Sequence, residues 1–367
     1  MKPFRLVIAA MLLQAALIAG GAHAQATAPA TAEPSTTEEA TLVPYTAPAG
    51  LPSSARLSGF TPVYQLFNRC AAGALTIDLS YYGWKGTYYD TIHYLNPSDD
   101  DVAVRMDEMQ TFAEMQGLKA VYRSGGTIDL LKSLVAAGFP VLVKNAYYDG
   151  ADAFKDFMGH NRVVMGYDDS KQEFYTFDSL LGNGPDNTGR PIAYTDLENR
   201  WRIFNRIFLV LYKPEDEARL QQALGNYWDD NYANQMALYQ AQQELNGGKP
   251  DSYTVFDMGT AEVALGQYDQ AAANFDEARK LGLPWRMMWY QYGPFEAYLH
   301  VGRYDDVITL ARDVIATTDG VEETYYYAAL AYEGKGDTTS AINNLKTAIW
   351  HNANYQVAKD ELAKLGG

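Results

Sequence analysis

The stretch QLFNRCAAGALTIDLSYYGW, residues 65–84, decides the fold of the amino-terminal part of the chain. It predicts an α-helix that Asn68 caps and Gly83 ends, with leucines recurring four residues apart on one face. Cys70, the only cysteine of the chain, falls in the first turn. Unpaired N–H groups and the helix dipole at that end favour an anion and lower the pKa of a thiol. We therefore expect Cys70 to be reactive, although a lone cysteine can also be a small buried hydrophobe.

Further helices and strands are predicted after this segment. Two further helices are predicted over residues 102–117 and 127–138, each ending at a glycine. Runs of β-branched and aromatic residues predict strands at 140–144, 162–167, 173–177 and 207–212. The expected fold of residues 51–214 is α+β, with helices on one side of an antiparallel sheet.

A predicted hairpin brings a histidine and a carboxylate together. The turn around Asp169 joins two strand runs, and pairing about that residue places His160 opposite Asp178. A carboxylate behind an imidazole fixes its tautomer and stabilises its charged form, as a base that serves a nucleophile requires. Taken singly, His160 could be an ordinary residue at a strand end and Asp178 a turn cap.

The order of these segments resembles a known family. QLFNRC with its leucine-rich helix and YYGW, then LKSLVAAGFPVLV, GHNRVVMGYDD and FDS, are similar to the papain-like cysteine peptidases that process bacteriocin leaders, in their stand-alone C-thirty-nine-like branch. The resemblance implies a papain-like fold in which Cys70 is the nucleophile, His160 the general base and Asp178 the orienting carboxylate. It also implies that Gln65, five residues before the cysteine, is an oxyanion donor.

The chain departs from this family directly after the cysteine. The family usually has Gly-Pro there, whereas this chain has Ala71 and Ala72. Alanine favours a helix, so we expect the helical turn to persist. The difference lies beside the backbone N–H of Cys70, the second expected oxyanion donor. An inactive protein that retains the fold is therefore a second hypothesis.

The remaining chemistry-bearing residues form no further predicted site. A single cysteine excludes an internal disulfide and a thiolate zinc site. The run Asp99–Asp101 lacks the spaced ligands of an EF-hand loop, and residues 182–189 lack the Lys-Ser or Lys-Thr of a phosphate loop. We predict no cofactor and no metal.

The net charge argues against one class of partner, and the amino-terminal composition indicates an exported protein. With 29 Lys and Arg against 45 Asp and Glu, the 367-residue chain has a net charge of −16, which disfavours binding to nucleic acid. Residues 1–24 have the basic start, short apolar run and Ala-His-Ala end of a secretory signal peptide. Residues 25–50 are rich in Ala, Thr and Pro and predict a disordered linker. We expect a secreted or extracytoplasmic protein, at the cell surface or in the periplasm, without a stable membrane span.

The carboxyl-terminal part repeats. After a helical connector over residues 215–250, the pattern of a glycine followed by small and large apolar residues at helical spacing occurs three times in 251–367. The glycines are Gly266, Gly302 and Gly336, spaced 36 and 34 residues apart. This period resembles tetratricopeptide repeats, with Pro294 inside the first helix of the second repeat. The resemblance implies an all-α solenoid that binds a protein or peptide, although its helices could instead only brace the first domain.

These observations favour an exported cysteine peptidase or amide hydrolase with a Cys-His-Asp triad and a peptide or protein substrate. The alternative is an inactive papain-like module that recruits a protein partner. An acyl transferase that uses the same thiol and an amine acceptor is a third hypothesis.

Overall fold

The computed structural model describes residues 42–148, 155–248, 251–318 and 320–367, and the chain from Leu42 onward forms one compact unit. The predicted signal peptide and most of the predicted linker lie outside these residues. Leu42 and Tyr45 belong to the rest of that linker, yet both pack against the hydrophobic core, and the Tyr45 hydroxyl donates to the Ala223 carbonyl at 3.2 Å. The folded chain therefore begins before Leu51, because two apolar side chains find a core contact that the surrounding composition does not reveal.

Among the described residues, the first region of the chain, which ends at residue 212, contains seven strands and five α-helices. The strands are β1 (Ser54–Arg56), β2 (Lys119–Arg123), β3 (Val141–Tyr148), β4 (Phe157–Asp168), β5 (Glu173–Phe177), β6 (Arg190–Ala193) and β7 (Phe208–Tyr212). The helices are α1 (Cys70–Tyr81), α2 (Tyr88–Leu95), α3 (Met106–Met115), α4 (Ile128–Ala136) and α5 (Tyr194–Trp201). Every predicted strand and helix is present, whereas the short strands β1, β2 and β6 and the helices α2 and α5 were not predicted.

All the strands join one antiparallel sheet in the order β2-β7-β3-β4-β5-β6, with β1 added to β4. Helices cover both faces, so the expectation of helices on one side only is wrong. Leu142 of β3 packs in the core that contains α1 and α3, while its neighbours Val141 and Val143 pack in the core that contains α4. The central strands are apolar on both faces, and both faces must therefore be shielded from water.

An all-helical region follows the sheet. Its helices are α6 (Glu217–Leu224), α7 (Asp230–Asn246), α8 (Ser252–Ala264), α9 (Tyr268–Leu281), α10 (Gly293–His300), α11 (Tyr304–Ile315), α12 (Glu322–Gly334), α13 (Thr338–His351) and α14 (Gln356–Lys364). Within the described ranges, no helix is both long and apolar enough to cross a bilayer. The predicted fold class, an α+β domain followed by an all-α region, is confirmed.

The repeated apolar positions lie on the second helix of each pair and are buried. Ala271, Phe275 and Ala278 of α9 are fully buried. Their counterparts are also buried, namely Val307, Ala311 and Val314 of α11 and Ala341, Leu345 and Ala348 of α13. Pro294 lies within a helix, as the sequence suggested, and its position is the first turn of α10. Proline is favoured there, because its missing N–H has no intrahelical acceptor. The segment 282–292 before it has one short 3-10 turn, Met287–Trp289.

The sheet and the helical region share one hydrophobic core. Phe157 of β4 and Phe204, which follows α5, pack with Phe256, Phe275 and Phe295 of the helical region. All five rings are almost completely buried. The predicted boundaries at residues 214 and 250 thus separate stretches of sequence that pack against each other.

Candidate active site

Cys70 is the first residue of α1, as predicted, but the turn that leads to it differs from the prediction. Arg69 is the N-cap residue, and no side chain caps the helix. Asn68 instead has a left-handed backbone with a φ of 55°. The Arg69 side chain is buried and donates to the carbonyl of Asp101 at 3.0 Å, which anchors the entry to the helix. The first N–H groups of α1 thus remain free of a side-chain cap beside the thiol.

The histidine and the carboxylate predicted to pair do so. The Nε2 atom of His160, near the start of β4, lies 2.9 Å from Asp178 Oδ1. Both side chains are almost completely buried. The same Oδ1 atom accepts the backbone N–H groups of Leu180 at 2.9 Å and Leu181 at 2.8 Å. The turn after β5 therefore holds this carboxylate in place as an anion.

The register that brings them together is not the predicted one. Val163 faces Phe177, and a bulge between Val164 and Gly166 shifts the remaining pairs toward the turn. Continuation of that register would place Arg162, not His160, opposite Asp178. Arg162 Nε does lie 3.0 Å from Asp178 Oδ2. His160 reaches the carboxylate as a diagonal neighbour, because the turn has four residues and the strand bulges.

The structure brings Cys70 to the other side of the imidazole. His160 lowers the pKa of the thiol, and since Nε2 faces Asp178, Nδ1 is the ring nitrogen left for the sulfur. Asn161 Nδ2 lies 3.5 Å from Cys70 Sγ, and the Asn161 backbone also bonds to the sulfur. Cys70 Sγ lies 3.9 Å from the carbonyl oxygen of Gly159. Three consecutive residues of β4 thus surround the thiol.

These contacts favour the charged forms of the thiol and the imidazole. Burial alone raises the pKa of Cys70, but the hydrogen bonds from His160 and Asn161 outweigh it, and the pKa is lowered. Burial lowers the pKa of His160, whereas Asp178 and Cys70 raise it to about 9. Burial also opposes the charge of Asp178, yet His160 and Arg162 bring its pKa down to about 2. The arrangement therefore favours an imidazolium beside an ionised Asp178 at neutral pH, and it shifts Cys70 toward the thiolate.

Gln65 is tied to the residue that follows the carboxylate. Ser179 Oγ donates to Gln65 Oε1 at 2.8 Å, and the Gln65 backbone N–H donates to the Ser179 carbonyl at 2.9 Å. A Cβ added to Gly73 in α1 would lie 2.8 Å from Ser179 and 3.6 Å from Gln65 Cβ. Gln65 is therefore packed beside the first turns of the helix that begins with Cys70. Its Oε1 atom is occupied, which leaves the Nε2 amino group for donation.

Three residues of the site were not predicted from the sequence, namely Asn161, Arg162 and Ser179. Asn161 and Ser179 adjoin predicted residues, and Arg162 lies two residues from His160. Strand alternation places Asn161 and Arg162 on different faces and does not single out either one. Ala71 and Ala72, the departure from the family pattern, are buried inside an unbroken α1. The expected helical turn after the cysteine is present.

Elsewhere among the described residues, one group of carboxylates has the spacing of a metal site. Oxygen atoms of Glu108, Glu322 and Glu323 lie within 4.8 Å of one another, between α3 and α12. Arg105 Nη1 lies 2.6 Å from Glu323 Oε1, and Asn352 Nδ2 donates to Glu322 at 2.6 Å and to Glu108 at 3.2 Å. Protein donors therefore already occupy these oxygens in part.

The first region, which contains the sheet and the candidate site, is similar to a known protein family. Residues 57–207 match the model of the Peptidase_C39 like family, and this range includes Gln65, Cys70, His160 and Asp178. Residues 57–207 are thus similar to this family, and an all-helical region follows them.

Three solved structures are similar to parts of the chain. A MamA double mutant (MamA RS-1 ArsTM) has 21% identity and a TM-score of 0.34, covering 41% of this chain and 83% of its own. A double-glycine-motif protease from an AMS/PCAT transporter, in complex with the leader peptide, has 18% identity and a TM-score of 0.32, covering 43% and 94%. MamA from residue 41 onward, from Desulfovibrio magneticus RS-1, has 20% identity and a TM-score of 0.31, covering 41% and 93%. No curated protein matches the chain.

Proposed function

We propose that this protein is a cysteine peptidase or amide hydrolase in which Cys70 is the nucleophile and His160 the general acid and base. The observation that supports the proposal is the place of the His160 ring, whose Nε2 lies 2.9 Å from Asp178 and whose pKa both Asp178 and Cys70 raise. Nucleophile, base and orienting carboxylate in this order are what acyl transfer through a thiol requires.

In the first half-reaction, the Cys70 thiolate attacks the carbonyl carbon of a peptide or amide bond. A carbon–sulfur bond forms, the carbonyl becomes an oxyanion, and His160 then donates its proton to the departing nitrogen. The carbon–nitrogen bond breaks, which releases an amine and leaves a thioester on Cys70. In this proposal Gln65 Nε2 and the Cys70 backbone N–H stabilise the oxyanion, because Cys70 begins α1 and Gln65 packs beside the first turns of that helix.

In the second half-reaction, His160 accepts a proton from water, and the hydroxide attacks the thioester. The carbon–sulfur bond breaks, the carboxylic acid leaves, and the thiolate and imidazolium form again. Asp178 stabilises the imidazolium in both halves, since its lowered pKa of about 2 keeps it ionised. An amine in place of water would give the transferase reaction, and product analysis with added amine separates the two.

The test is the rate at which iodoacetamide alkylates the thiol as a function of pH. Since Cys70 is the only cysteine, the signal comes from one site. We expect a plateau well below the ordinary thiol pKa of about 8.5, and its loss in His160→Ala. His93→Ala, which removes an exposed histidine on α2, is the matched control and should behave as the wild type. An ordinary thiol that is indifferent to His160 would contradict the proposal.

Ala71 and Ala72 favour a second candidate, an inactive module that binds a partner. They replace the family's usual Gly-Pro beside the expected oxyanion site. In that case, Cys70→Ser would retain the full biological effect of the protein, and effort should turn to ligands of the helical region. Loss of the effect in Cys70→Ser with an unchanged melting temperature would instead favour the hydrolase.

In either candidate, we assign the helical region to binding of a peptide or protein, and export to residues 1–24. Helix pairs at a period near 34 residues build extended surfaces of this kind. Sequencing the amino terminus of protein recovered from outside the cytoplasm tests the export proposal, which expects a mature chain that begins at Gln25.

A further inference from the structure

One segment of the helical region runs alongside β4, the strand that carries the general base. Trp285 Nε1 donates to the carbonyl of Lys155 at 3.2 Å, and Arg286 Nη1 lies 3.4 Å from the carbonyl of Phe157. The third contact is that of Tyr290 with Gly159. The segment 285–290 therefore touches residues 155, 157 and 159, every second residue on the approach to His160.

The contact at Gly159 is close and specific. A Cβ added to Gly159 would lie 3.1 Å from Tyr290 Cδ1, 3.2 Å from Tyr290 Cγ and 3.2 Å from Phe204 Cζ. The ring thus packs directly against the α-carbon of the glycine. The Gly159 backbone also acts on the Tyr290 phenol, where it opposes the rise in pKa that burial causes. Ring and hydroxyl therefore both lie against Gly159, the residue that precedes the general base.

This peptide is also in contact with the nucleophile. Cys70 Sγ lies 3.9 Å from the Gly159 carbonyl oxygen. Burial raises the pKa of the Tyr290 phenol, and the charge of Cys70 raises it further, which places the phenol within electrostatic range of the thiol. Tyr290 therefore affects the surroundings of both reacting groups, although it belongs to the helical region.

A buried cation completes the arrangement. Lys144 of β3 is almost completely buried, and its Nζ lies 5.4 Å from the centre of the Tyr290 ring. Burial lowers the pKa of Lys144, while the charge of Cys70 raises it. The Tyr290 ring therefore stabilises an ammonium group that in turn favours an anionic sulfur.

We infer that Tyr290 is a positioning residue for Cys70 and His160, through which the helical region sets the reactivity of the thiol. This inference rests on the proposed function. Tyr290 holds the Gly159–His160 peptide against the thiol. Its ring shields that contact from water, which strengthens the bond between imidazole and sulfur.

The test compares full-length wild type with Tyr290→Phe and Tyr290→Leu by the pH dependence of Cys70 alkylation. Tyr290→Phe keeps the ring and removes the hydroxyl, so we expect alkylation at pH 6 to fall about threefold. Tyr290→Leu also removes the packing against Gly159, and a fall of about tenfold is expected, equivalent to a rise of roughly one unit in the pKa of the thiol. Tyr292→Phe is the matched control, because it removes a hydroxyl two residues further along the chain, from a side chain that does not contact Gly159.

Thermal melting shows whether each variant is folded, and the pH profile separates positioning from mere stabilisation. A folded Tyr290→Leu protein with the wild-type profile would overturn the inference and leave the proposed function standing. An ordinary thiol pKa in the wild type would overturn both. A displaced profile in Tyr290→Leu but not in Tyr292→Phe supports the inference. An equal displacement in both would show a general effect of the segment and overturn the role of Tyr290.

Discussion

Arg162 Nε lies 3.0 Å from Asp178 Oδ2, while Oδ1 of the same carboxylate faces His160. Both charged groups are buried. Removal of the guanidinium leaves an anion with less compensation, so Arg162→Met should lower the free energy of unfolding by about 3 kcal/mol. Urea unfolding measures this loss. Arg162→Lys retains the charge and should lose less, whereas an equal loss in both variants would show that packing, not charge, is what Arg162 provides.

Asp178→Asn tests the orienting carboxylate. The amide keeps the shape but cannot stabilise an imidazolium, so we expect the pKa of His160 to fall and hydrolysis to drop by roughly 10³- to 10⁴-fold. Steady-state hydrolysis of a peptide or amide substrate measures the drop. Asp168→Asn, at the exposed hairpin turn, is the control and should leave the rate unchanged. A drop of less than tenfold in Asp178→Asn would argue against its assigned role.

Gln65→Ala separates stabilisation of the oxyanion from activation of the thiol. We expect kcat to fall about 100-fold, because one oxyanion donor is lost, while the pH profile of Cys70 alkylation stays as in the wild type. Ser179→Ala removes the hydroxyl that donates to Gln65 Oε1, and its effect on kcat should be smaller. If Gln65→Ala changed alkylation and hydrolysis equally, Gln65 would act on the thiol instead of the oxyanion.

The pH dependence of activity follows from the same pair of groups. Hydrolysis needs the imidazolium, so the rate should fall as the pH rises through about 9, the pKa of His160. On the acid side, it should fall as the pH drops through the lowered pKa of Cys70. A rate profile over pH 4 to about 10.5 measures both limbs. An alkaline limb near the ordinary histidine pKa of 6.5 would contradict the paired arrangement.

Stability has a pH dependence with a definite sign. The pKa of His160 is raised, so its contribution to folding is complete below pH 6.5 and is lost as the pH rises through about 9. The pKa of Asp178 is lowered, so its contribution is complete above 3.8 and is lost as the pH falls through about 2. Urea midpoints at several pH values measure these changes. The lowered pKa of Cys70 acts with the opposite sign and offsets part of the His160 loss over this range. In His160→Ala, both changes should largely disappear.

Much of the site could be predicted because its residues are marked by local patterns. A helix start identified Cys70, and a turn between two strand runs paired His160 with Asp178 even though the assumed register was wrong. The bulge near Val164 could not be predicted, since strand propensity does not specify where an extra residue is accommodated. Arg162 was missed for the same reason, because its contact with Asp178 depends on that register. Asn161 was missed because its contact with Cys70 is a tertiary contact between β4 and α1.

The repeats illustrate a different limit. The period near 34 residues predicted which faces of the helices are buried, and Ala271 and Phe275 are indeed in the core. Periodicity reveals that a face is covered but not which element covers it. The packing of Phe157 and Phe204 against that region and the approach of Tyr290 to Gly159 depend on tertiary contacts, which no local pattern encodes.

The shared core has a practical consequence for anyone who wishes to divide this protein. A fragment that stops near Pro214 would uncover Phe157 and Phe204, two aromatic side chains that water does not reach in the intact chain. Such a newly exposed apolar patch promotes self-association. Insolubility of the isolated first half would therefore not be evidence against the candidate active site. The two halves should therefore be expressed and engineered together, as one folding unit.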